Sequence, residues 1–112
     1  MEIKRGDIVL CVIAGDYGKP RPALVIQSDL FNEAHPSLTL LPITSHLIET
    51  PLFRIPLKGS KANGLNQPSQ VMVDKITSVR RDRIRERIGK VSPVMLTKIE
   101  ESLLRFLGFE SR

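Results

Sequence analysis

Short apolar runs broken by glycine- and proline-rich turns, followed by one amphipathic segment punctuated as a helix at both ends, predict a mainly β domain closed by a C-terminal helix. Strand-like runs occur at 8–13, 21–26, 37–45, 52–57, 69–75 and 89–91. No spacing of the strand–helix–strand kind lies between them, so a parallel sheet is not expected. The economical arrangement is five to seven short strands curled into a small barrel, with the helix packed against it. The 112 residues fit one domain with its own core, and no repeat, linker or second domain is visible.

Each element has a local cause. Lys4-Arg5-Gly6-Asp7 reads as a turn before the first strand. Cys11, inside Ile8-Val9-Leu10-Cys11-Val12-Ile13, reads as a small buried hydrophobe; a single cysteine forms neither an internal disulfide nor a cysteine zinc cluster. Residues 14–20 form a glycine-rich connection without a nucleotide-binding glycine pattern. In Arg21-Pro22-Ala23-Leu24-Val25-Ile26, Pro22 stiffens the backbone and holds Arg21 extended at the mouth of a buried strand. A cation on such a base can hold a phosphate in one place. Residues 29–36 make a turn or short helical excursion, Pro42 marks a bulge or edge position in its strand, and 58–68 is loop. At the end, Ser92 is the expected N-cap, Pro93 the first helical residue and Gly108 the stop. Leu96, Ile99, Leu103 and Leu107 form one stripe to bury, with Lys98, Glu101, Ser102 and Arg105 facing elsewhere.

The net charge of +5 favours a polyanionic partner, either nucleic acid or an acidic protein segment. The charge is concentrated. Residues 80–90 hold five arginines and one lysine against two acids. No apolar run reaches the length of a membrane span and no leader precedes the first strand, which together point to the cytoplasm. Candidate chemistry is sparse. Two histidines could serve a metal-free ribonuclease; His35 sits in a loop with nothing to orient it, and His46 directly follows Thr44-Ser45. No cluster at ligand spacing suggests a metal, and no nucleophile elbow accompanies Ser45. Arg21, Thr44, Ser45 and Asp74 remain, all near strand ends.

Taken in order, Arg5-Gly6-Asp7-Ile8-Val9, Arg21-Pro22-Ala23-Leu24-Val25-Ile26, Pro42-Ile43-Thr44-Ser45, Gly64-Leu65, Ser69 with Val71, Val73-Asp74 and Ile88-Gly89-Lys90-Val91-Ser92-Pro93 resemble the successive motifs of the MazF/PemK toxins. The resemblance runs from Arg5 to Gly108. It implies an SH3-like barrel of the CcdB/MazF type, a homodimer, and an mRNA interferase that cuts single-stranded RNA without a metal or other cofactor. It implies Arg21 and Thr44 as catalytic residues and Asp74 as the general base of the PemK branch; His46 is the other candidate base. The arginine that this branch places two residues before the aspartate is replaced here by Met72. Lys19, Ser45, Ser69, Arg81 and Arg83 are the expected RNA contacts. The resemblance also implies a cognate antitoxin, whose inhibitory segment is expected to be acidic and partly disordered.

Two other classes stay open. A gyrase poison of the same fold, like the CcdB toxins, depends on a C-terminal tryptophan, and this chain has none. A basic SH3-like binding module predicts binding without cleavage.

Overall fold

The computed structural model describes residues 1–15, 17–50 and 52–109; Asp16 of the glycine-rich connection and the tail residues Glu110, Ser111 and Arg112 lie outside them. The expected β domain with a C-terminal helix is observed. Seven strands form one antiparallel sheet: β1 (Asp7–Val12), β2 (Pro20–Val25), β3 (Ser37–Thr44), β4 (Arg54–Leu57), β5 (Ser69–Met72), β6 (Thr77–Arg80) and β7 (Ile84–Lys90). A short helix, α1 (Asp29–Asn32), interrupts them, and α2 (Pro93–Leu107) follows.

The order is β4-β5-β3-β2-β1-β7, with β6 also on β3. The sheet is curled but not closed, so "barrel" describes its curvature and not a continuous ring of hydrogen bonds. β3 makes the bend. One of its edges pairs first with β6, through Ser37 to Leu40, and then with β5, through Ile43 and Thr44. Pro42, which has no N–H to donate, sits between those two partners, the irregular position expected for it. Between the free edges of β4 and β7 runs the 58–68 loop. The Lys90 N–H donates to the Ala62 carbonyl at 3.1 Å.

Alternation along the strands sorts the apolar residues onto two faces. Ile8, Leu24, Leu41 and Ile43 pack with Val71 and Val73 and with Ile99 and Leu103 of α2. Val9, Cys11, Ala23, Val25, Leu38 and Leu40 form the second cluster with Val79 and Ile84. Cys11 is fully buried, as expected.

The helix is capped as read. Ser92 Oγ accepts from the Met95 N–H at 3.1 Å, and Gly108 takes the left-handed conformation at φ 82°. Its buried face is shifted, however. Ser102 is 4% exposed and Leu107 is 43% exposed. Ser102 lies between Ile99 and Leu103 on the docked side, and its hydroxyl donates to the Leu52 carbonyl at 2.8 Å. A hydroxyl with a fixed acceptor can replace an apolar residue in that stripe, and the final turn leaves the core.

Two stretches are strands where the sequence showed none. β6 pairs with β3 but buries only Val79. The first half of the arginine run is a 3-10 turn at Arg81–Arg83, and the second half is β7. β7 carries two irregularities against β1: pairing passes from Gly89 to Arg87, and from Glu86 to Ile84, leaving Ile88 and Arg85 as extra residues. Such bulges re-aim side chains and blunt an exposed edge.

Candidate RNA-cleavage site

A cleft of about 650 Å³ opens at the end of the sheet where β2 begins and β3 ends. The chain reaches it from several elements. Arg21 and Pro22 come from the start of β2, Thr44 and Ser45 from the end of β3, Ser69 and Met72 from β5, and Ile88 from the bulge in β7. Residues 64–67 of the loop form the remaining wall. Antiparallel pairing explains the convergence: β2 enters where β3 leaves, so Arg21 and Thr44 come to one end although 23 positions apart.

Arg21 is exposed. In register it lies opposite Cys11 of β1, whose neighbour on β7 is Ile84. Its backbone is therefore held by the centre of the sheet. Thr44 is half-buried, and its Oγ1 accepts the His46 N–H at 3.0 Å. That bond occupies one lone pair and leaves the hydroxyl proton available to a ligand. Gln70 braces the same turn: its amide accepts from the Ile48 N–H at 3.2 Å and donates to the Ile48 carbonyl at 2.8 Å. Ser69 is buried and donates its hydroxyl to the Gln67 carbonyl at 3.0 Å.

The other sequence-predicted residues lie elsewhere or at the rim. Lys19 is exposed, two positions before Arg21, and His46 is exposed two positions beyond Thr44. Asp74 does not line the cleft. It follows β5 in a 3-10 turn and pairs with Arg54, whose Nε and Nη2 donate to the two carboxylate oxygens at 2.9 and 3.4 Å. Both side chains are mostly buried, at 11% and 16% exposure. Arg54 lies directly across from Met72 in the β4–β5 register. Neither Arg81 nor Arg83 lines the cleft. Arg81 donates to the His35 carbonyl, on the side of the sheet where β3 begins. Arg80 pairs with Asp82, and Arg87 pairs with the buried Asp7 at 3.1 Å. Among the described residues no group of three His, Cys, Asp or Glu side chains is placed to hold a metal ion. No helix among them is long and apolar enough to cross a membrane.

Sequence reasoning missed the part played by the 58–68 loop. Its signals were Gly64 and Gly89, which look like ordinary turn and strand glycines. A Cβ on Gly64 would stand 2.2 Å from the Ile88 carbonyl oxygen, and one on Gly89 would stand 2.3 Å from the Asn63 backbone. The loop sits against β7 because neither residue has a side chain.

Fold and cleft together define a small, curled β-sheet protein with a C-terminal helix and an open cleft lined by one arginine, Arg21, and by the hydroxyl residues Thr44, Ser45 and Ser69. Residues 4–107 match the PemK-like, MazF-like toxins of type II toxin-antitoxin systems, and the chain belongs to that family. A Mycolicibacterium smegmatis protein described as "Probable endoribonuclease MazF" is 39% identical over 107 residues, covering 95% of this chain and 97% of its own. Endoribonuclease EndoA of Bacillus subtilis is 27% identical over 107 residues, 92% of each chain. Among solved structures, Mycobacterium tuberculosis toxin MazF-mt6 superposes with a TM-score of 0.81 at 21% identity, over 94% of this chain and 99% of its own. A MazE-MazF structure from Deinococcus radiodurans gives a TM-score of 0.79 at 22% identity, over 98% and 100%. These two likenesses establish the shared fold.

Proposed function

We propose that the chain is an endoribonuclease toxin that cuts single-stranded RNA in this cleft and is neutralised by a cognate antitoxin. The observation that carries the reading is the meeting of Arg21 and Thr44 at one cleft, in a chain of the MazF-like toxin family. An RNA 2′-hydroxyl stands beside its own phosphate, so orientation and charge stabilisation supply much of the rate. In the reaction the 2′-oxygen gives up its proton and bonds to phosphorus, the bond to the 5′-oxygen breaks, and that oxygen takes up a proton. The products are a 2′,3′-cyclic phosphate and a 5′-hydroxyl.

Arg21 stabilises the doubly charged phosphorane, the easier role for a group that does not deprotonate. Thr44 donates its hydroxyl proton to a non-bridging oxygen, in the orientation left open by the His46 N–H. Of the two candidate bases, Asp74 is engaged by Arg54, so we assign the proton transfer to His46 at the cleft rim and a structural role to Asp74. Lys19, Ser45 and Ser69 contact the RNA near the scissile phosphate. Arg83 and Arg85, exposed and without an ion-pair partner among the described residues, serve as rim charges. The inhibitor is an acidic, partly disordered antitoxin segment whose carboxylates take the places of phosphates, and the active species is a homodimer.

Incubation of the purified protein with a defined single-stranded RNA tests the reading. Cleavage is expected with and without EDTA, leaving a cyclic phosphate, and a chain with deoxyribose at the cut position stays intact. Binding without cleavage would replace this reading with the binding module.

A further inference from the structure

The two walls of the cleft differ in chemistry. One carries a guanidinium and hydroxyls, groups suited to phosphate. The loop wall carries no charged residue: Lys58 and Lys61 belong to the loop, but Asn66 and Gln67 are the polar residues that reach the cleft. An amide offers one donor group and one acceptor. Phosphate oxygens only accept, so half of that capacity is idle against a backbone, whereas a base edge uses both.

The loop is also fixed before any ligand arrives. Asn63, 8% exposed, is its internal clamp. Its Oδ1 accepts from the Ser60 and Leu65 N–H groups at 3.0 Å each, and its Nδ2 donates to the Lys58 carbonyl at 2.8 Å. Gly64 and Gly89 bring the loop against β7 at distances that a Cβ would forbid. The Ser69 hydroxyl then holds the carbonyl of Gln67 itself. Discrimination between bases requires placement within about 0.5 Å, which a mobile loop does not give and a clamped one does.

We propose that the 58–68 loop is the specificity element of the cleft, with the Gln67 amide, aided by Asn66, reading the edge of one unpaired RNA base beside the scissile phosphate. The inference rests on the endoribonuclease reading above. The donor–acceptor pair of the amide complements N6 and N7 of adenine, the base that glutamine and asparagine match best. Watson–Crick edges are also open in a single strand.

The test is sequencing of cut ends from a randomised single-stranded RNA library for the wild type, Gln67→Ala, Gln67→Glu and Asn66→Ala. The wild type should favour adenine at one position next to the cut. Gln67→Ala should lower that preference by roughly tenfold to a hundredfold, the range of a good bidentate contact. Gln67→Glu keeps the size of the side chain but only accepts, so preference at that position should move toward cytosine. Other positions should keep their profile. Cleavage by folded Gln67 variants with the wild-type profile, or a uniform fall in rate at every sequence, would overturn the inference while leaving the nuclease reading intact. A wild type that cuts no member of the library would overturn the nuclease reading itself.

Discussion

Asp74→Ala strands the Arg54 guanidinium, and the size of the loss reports what the carboxylate does. The pair has two hydrogen bonds, at 2.9 and 3.4 Å, between side chains that are 11% and 16% exposed. Exposed pairs contribute about 0–1 kcal/mol, and removing one partner of a fully buried pair costs about 3–5 kcal/mol. With slight exposure on both sides, the expected loss is about 2–3 kcal/mol. For a chain of this length that lowers the melting temperature by roughly 8–13 °C. Replacing both residues, Arg54→Met with Asp74→Leu, removes the stranded charge and should recover most of the loss, because apolar pairs of similar volume often match a buried ion pair. RNA cleavage by the double variant, measured in single turnovers well below its melting temperature, should stay within about tenfold of the wild type. A stable double variant that has lost about 10³ or more in rate, the scale of a catalytic acid or base, would refute the structural assignment and return Asp74 to the chemistry.

Gly64→Ala adds a Cβ 2.2 Å from the Ile88 carbonyl oxygen at a backbone φ of 75°, and should cost at least about 2 kcal/mol in urea unfolding through strain and displacement of the loop. Asp29 has its carboxyl held below its ordinary value of 3.8 by the Arg5 N–H at 2.7 Å and then by Asn32. Its contribution to stability is therefore present above that ordinary value and lost as pH falls through the lowered one; Asp29→Ala should flatten the acid limb of a stability–pH curve. Replacing Arg83 and Arg85 with serine should slow association of the antitoxin at low salt more than it speeds dissociation, in stopped-flow traces at several ionic strengths.

Much of the architecture was legible because local chemistry and tertiary packing agree in it. The strands around Ile8, Leu24 and Leu41 are apolar on both faces, and Ser92, Pro93 and Gly108 announce the helix ends before any packing is known. β6 was not legible because Val79 is its one buried side chain, too little for a periodic signal. The start of β7 was disguised by its own arginines: on an edge strand with two irregularities, charged residues face solvent in numbers that read as a loop. Ser102 was assigned to the wrong face because its acceptor, the Leu52 carbonyl, is 50 residues away. In the candidate site, Arg21 and Thr44 stood out by resemblance and by position at strand ends. The Arg54 partner of Asp74 depends on the β4–β5 register, and the loop wall depends on the close contact of Gly64 with β7. Arg54 carries no local mark of its partner, and Gly64 looks in sequence like any turn glycine.

The most direct test of the central claim is the single-turnover cleavage rate of one defined single-stranded RNA by the wild type, Arg21→Ala and Thr44→Val, each shown by thermal melting to be folded. Arg21→Ala should abolish detectable cleavage while leaving the fold intact, since the residue is exposed at a strand end. Thr44→Val should lose roughly 10²–10³ in rate, the effect of removing one transition-state donor. Near-normal cleavage by folded Arg21→Ala, or a loss below about threefold for Thr44→Val against that expectation, would contradict the placement of the chemistry in this cleft.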